Sequence, residues 1–167
     1  MAEAPSRADI LPARGTATIV AVLIALGVIW YGISADVFER LWRHVFDRPS
    51  GPMAFRFLVQ PAMAAILAVR DGTRDARLGR SPYFWTVISD PEQRLPRIQE
   101  GLIATGRVIL LGLVMDVAYQ SMVFATFYPG EAAIVALLLA FLPYLAIRGL
   151  AARIARRRSH SASGAVR

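Results

Sequence analysis

The sequence predicts an all-α fold: a small polytopic bundle of transmembrane helices with one amphipathic helix at the membrane surface. Three observations carry this. Hydrophobic residues make up 56% of the chain and charged residues 19%, a balance more apolar than that of ordinary soluble domains. Charge-free runs reach the roughly 20 residues that span a bilayer at about 1.5 Å per residue. Where charges do appear, apolar residues recur with a helical period.

The elements follow in order. Residues 1–15 form a polar N-terminal tail in which Glu3 and Asp9 mix with Arg7 and Arg14. The apolar run after it is too long for a secretory leader and ends in no small-residue cleavage site. Residues 16–35 carry no charge and make the first span. Trp30 and Tyr31 sit near its end, where aromatic rings favour the interface. In residues 36–48 the apolar side chains Val37, Phe38, Leu41, Trp42, Val45 and Phe46 take one helical face and charged residues the other. That split predicts an interfacial helix anchored by Trp42. His44 falls on its polar face as a solvated residue. Pro49 to Pro52 bring the turn that ends it.

Residues 53–69, apolar all round after Arg56 except at Gln60, are expected as a short fourth span, with a re-entrant or surface-lying segment as the alternative. Pro61 is tolerated in a membrane helix and bends it. Residues 70–100 form a cytoplasmic segment. Its first part reads as a solvated charged extension, and Tyr83, Phe84 and Trp85 read as interfacial anchors. Asp90 followed by Pro91 predicts a helix N-terminus. Spans at about 102–127 and 132–147 are joined by Tyr128-Pro129-Gly130-Glu131, a link short enough to force an antiparallel hairpin. Residues 16–147 thus make a single membrane domain, and 148–167 are a basic, partly disordered tail.

All 19 basic residues are Arg, and the tail from Arg148 onward contains Arg but no acid. Charge placed directly after an apolar segment is the mark of a cytoplasmic flank rather than of a nucleic-acid arm. Arg153, Arg156, Arg157 and Arg158 would add about 1 kcal/mol each toward anionic lipid. With the tail inside, a crossing by 53–69 puts both termini inside. Without that crossing there are three spans and the N-terminus lies outside. The Arg distribution favours three spans; the all-round apolarity of 57–69 favours four.

The carboxylate of Asp116 falls near the middle of an apolar run, where burial costs roughly 2.5–3.5 kcal/mol. It must be paired. Gln120 lies one turn later on the same face. With four spans, Arg56 and Gln60 come to the same depth, so an Arg56–Asp116 pair supported by Gln60 and Gln120 is the expected intramembrane cluster. Arg107 falls on the opposite face and snorkels to the surface.

The chain has no cysteine, and no phosphate-binding glycine loop, nucleophile elbow or zinc spacing is present. No catalytic, cofactor or metal residue is therefore expected. The expectation is a non-enzymatic accessory, scaffold or homo-oligomeric subunit of a bacterial inner membrane, contacting anionic lipids and a protein partner or further copies, and no nucleic acid. The alternative is a transporter- or channel-like subunit that uses Asp116.

Overall fold

A computed structural model describes residues 7–164, with side chains over 14–158. These residues form helices joined by short links, without a strand. The order is α1 (Arg7–Tyr31), α2 (Ala35–Asp47), a 3-10 turn (Arg48–Ser50), α3 (Arg56–Arg77), α4 (Tyr83–Ser89), α5 (Pro91–Val123) and α6 (Pro129–Gly164). Three helices are long and apolar enough to cross a membrane: Arg14–Tyr31, Pro91–Val123 and Pro129–Arg158.

Local chemistry explains most of the boundaries. Ser34 caps α2 by accepting from the Val37 N–H. The Asp90 carboxylate accepts from the N–H groups of Glu92 and Gln93, both at 3.1 Å, with Pro91 at the first helical position. These contacts satisfy donors that a helix start leaves unpaired. Pro96 lies inside α5, which runs unbroken to Val123. Both flanking helices extend further than the expected spans. α1 begins within the expected N-terminal polar tail, at Arg7, and α6 carries the expected disordered tail onward to Gly164. Residues 1–6 and 165–167 of those tails lie outside the described residues.

Close contacts fix the helix directions. Gly27 of α1 meets Gly130 of α6; Gly112 of α5 lies beside Ala136, and Gly101 beside Phe141 and Tyr144. Gly72 of α3 lies against Arg148 and Ala151, while Gln60, twelve residues earlier, lies beside Gly112 at the level of Ala136. Hence α1 and α5 run one way, and α3 and α6 run parallel to each other the opposite way. The bundle has a hairpin end, where α5 turns into α6, and a tail end, where α3 finishes and α6 runs on.

Small residues bring the backbones together. Ala64, Ala68 and Gly72 line the buried stripe of α3, and Ala132, Ala136 and Ala140 are fully buried in α6. A Cβ on Gly72 would stand 2.5 Å from the Arg148 carbonyl oxygen, so only glycine permits that approach. Val108, Ile109 and Leu113 of α5 and Val20 of α1 complete the central core. The outward surface is apolar as well: Leu58 and Ile66 of α3, Ile29 of α1 and Val114 of α5 are each about two-thirds exposed or more.

Candidate functional site

Two clusters of buried charge cap the bundle, one at each end. They lie roughly 28 Å apart along α3, from Arg56 to Asp75 at about 1.5 Å per residue.

The hairpin-end cluster is built around Asp116, which is wholly buried. Seven residues remain between it and the end of α5 at Val123, so it stands near the end of the bundle and level with Glu131 in the first turn of α6. The central depth suggested by the apolar run is corrected accordingly: α5 begins at Pro91, eleven residues before the expected span, and stops at Val123, four residues sooner than Phe127. Asp116 Oδ1 accepts from Arg56 Nη2 at 2.8 Å and from Arg48 Nε at 3.1 Å. Its Oδ2 accepts from Gln120 Nε2 at 2.6 Å and from Arg48 Nη2 at 3.4 Å. The expected pairing of Arg56, Asp116 and Gln120 is present. Gln60 is buried beside them but donates to the Val108 carbonyl at 3.3 Å rather than to Asp116; the missing side chain at Gly112 leaves room for its amide there.

Arg48 was not foreseen in this cluster, and neither was Glu131. Arg48 is fully buried and bridges the two acids, reaching Glu131 Oε2 at 3.5 Å. Glu131 also accepts from Arg40 Nε at 3.3 Å and pairs with His44 Nδ1 at 2.8 Å. His44 is therefore no solvated surface residue: its ring stacks on Phe124 with centroids 4.4 Å apart. Residues 40, 44 and 48 recur every four positions, so one face of α2 and its following turn points at the carboxylates. The opposite face presents Phe38, Trp42 and Phe46, whose rings pack in series at 5.8 and 5.9 Å. Aromatic rings also line the inner side. Tyr119 lies 5.3 Å from the Arg48 guanidinium and 4.9 Å from that of Arg56. Those faces partly offset the N–H groups at Arg48 Nη1 and at Arg56 Nε and Nη1, which have no hydrogen-bond partner among the described residues.

The tail-end cluster centres on Asp75 and Arg148, both about 1% exposed. Arg148 grips Asp75 with two bonds, at 2.7 and 3.0 Å, and reaches Glu100 at 2.8 Å. Arg80 and Arg97 add contacts to the same two acids. Tyr144 donates to Asp71 at 2.6 Å and accepts from Arg148 at 2.8 Å. Asp71 and Asp75 are thus held by α6 and α5 rather than solvated. Tyr83 packs under Arg148, 4.1 Å from its guanidinium, and donates to the Arg97 carbonyl. It is fully buried, so it cannot be the lipid-facing anchor its neighbours suggested. Phe84 and Trp85 do point outward, as does Trp42. Burial pushes the Tyr83 phenol up to about 12.

The remaining basic residues are placed simply. Arg107 lies exposed on the outer face of α5. On α6, Arg153, Arg157 and Arg158 are exposed, and Arg156 donates to the Arg80 carbonyl at 3.0 Å. Among the described residues, no three of His, Cys, Asp or Glu gather as metal ligands.

Chemically, the hairpin-end cluster joins three guanidiniums to two carboxylates. A cation entering it would meet an excess of positive charge, and Asp116 already accepts from three side chains. This is the arrangement of a clamp. No protein-family model matches the chain, and no match to it was found among curated proteins or solved structures.

Proposed function

We propose that the chain is a multi-pass, non-enzymatic membrane protein, an accessory, scaffold or homo-oligomeric subunit of a bacterial inner membrane. The observation that carries this is the saturation of Asp116 by Arg48, Arg56 and Gln120. Its partners come from the turn after α2, from α3 and from α5, so the role of the carboxylate is to tie α2 and α3 to α5. The consequence is the outward ridge Phe38–Trp42–Phe46. With the polar side of α2 turned into the protein and its aromatic side turned out, the helix suits an interface between lipid and headgroup or a partner chain.

In this reading α3 is a fourth crossing. It lies parallel to α6, and its outer face, from Leu58 to Val69, is apolar. Its ion clusters stand about one hydrocarbon thickness apart. Arg70, Arg74, Arg77 and the Arg of the α6 tail gather at one end, which supports a cytoplasmic side for that end and the C-terminus. Exclusive use of Arg over Lys fits GC-rich bacterial coding.

Purification in mild detergent followed by intact-complex mass measurement tests the assignment. A stoichiometric second protein or a defined homo-oligomer supports it. Proton or ion flux in liposomes of the pure protein, lost in a folded Asp116→Asn variant, would replace it with a transport function.

A further inference from the structure

We infer that the groove between the last turns of α3 and the C-terminal third of α6 is a binding site for one anionic phospholipid. The site presupposes that both helices lie in a bilayer, as proposed above. The groove has a volume of about 430 Å³ and is lined by Val69, Thr73 and Arg77 from α3 and by Ile154, Ala155 and Arg158 from α6. Because the two helices run parallel, the lining is graded. Val69 lies toward the bundle middle, and Arg77 and Arg158 lie together at the tail end.

An apolar slot closed by two cations at one end matches a molecule with an acyl chain and a phosphate. The cations are available to it. Arg80, Arg97 and Arg148 at the same end are committed to Asp75 and Glu100. Arg77 and Arg158 are exposed and make no ion pair among the described residues. Of the acids that could repel a phosphate, Asp75 is paired with Arg148 and Asp71 accepts from the Tyr144 hydroxyl, and neither lines the groove. Basic pockets between membrane helices are a recurrent means of holding anionic headgroups. The tail itself offers Arg153 on a face outside this lining, so the site is distinct from a general attraction of the tail to the membrane.

The test uses the full chain in mild detergent, titrated with phosphatidylglycerol, phosphatidylcholine or inorganic phosphate, with bound lipid read by native mass spectrometry. The wild type is expected to hold one phosphatidylglycerol in preference to phosphatidylcholine and to show no adduct with inorganic phosphate. Arg77→Gln combined with Arg158→Gln should weaken that binding about thirtyfold, each Arg near an anionic surface being worth roughly fivefold. Arg153→Gln should leave it within about twofold. Equal retention of both lipids, an unchanged double variant, or an equal loss in Arg153→Gln would overturn the site. Alkaline extraction of native membranes separates this from failure of the membrane assignment: a chain released into the supernatant refutes that assignment, and a retained chain leaves the lipid result to judge the groove alone.

Discussion

Asp116→Asn removes the charge that Arg48 and Arg56 share while keeping the shape of the side chain. In the wild type the two guanidiniums approach one carboxylate at 3.1 and 2.8 Å, and both Arg residues are at most 1% exposed. Asparagine retains one acceptor oxygen and supplies no charge, so two buried cations are left at one site without a counter-charge between them. Breaking a buried pair by removing one partner costs about 3–5 kcal/mol. For a chain of this size a loss of 1 kcal/mol lowers Tm by roughly 2–4 °C, which gives a drop of about 6–20 °C. Thermal challenge in mild detergent, followed by fluorescence-detected size exclusion, reads the shift. The combined variant Arg48→Met, Arg56→Met, Asp116→Leu removes all three charges and should lose far less, since hydrophobic replacement of a whole buried ion cluster is often neutral or stabilising. A shift under about 2 °C for Asp116→Asn would refute the clamp, because the two Arg residues would then be solvated without it.

Glu131→Gln should loosen α2 by about 1.5–3 kcal/mol, the worth of hydrogen bonds to charged groups; a change in Trp42 emission and faster proteolysis near Pro49 would report it. Gly72→Leu should separate α3 from α6 and cost about 1–3 kcal/mol or more by overpacking, visible as a lower thermal midpoint with the hairpin-end cluster unaltered. Tyr83 carries a pH dependence. Its phenol is raised from 10.0 to about 12 by burial, so the folded state keeps a proton that the unfolded state releases. Stability from this group is complete below the ordinary phenol range and is lost as pH climbs toward about 12; Tyr83→Phe should flatten that part of the stability–pH curve.

The chain's helices were legible because hydropathy and helical period are local signals. The Arg56–Asp116–Gln120 contact was legible too, once residues 53–69 were set antiparallel to α5, because depth alone brings those side chains level. Arg48 escaped notice because Pro49, Ser50 and Gly51 make it look like part of a surface turn. Its spacing of four from His44 and eight from Arg40 was the available clue. Glu131 was hidden in the same way by the proline and glycine of the hairpin link. The tail-end cluster was illegible for another reason. Asp71 and Asp75 alternate with Arg70 and Arg74 on one helix, the pattern of a solvated face, and their true partners on α5 and α6 are distant in sequence. Tyr83 sits in a run with Phe84 and Trp85, and only the short helix α4 turns it inward while its neighbours face out.

The most direct test of the account is the side of the membrane on which each end of α3 lies. The chain has no cysteine, so single Ser50→Cys and Ser81→Cys variants, both at exposed positions, can be labelled in intact cells and in inverted vesicles with an impermeant maleimide. A four-helix crossing with the ion clamp at the outer end predicts that Cys introduced at position 50 reacts from outside and at position 81 only from inside. Reaction of both from the same side would mean that α3 does not cross, and the clamp would then have to be explained without a bilayer between the two clusters.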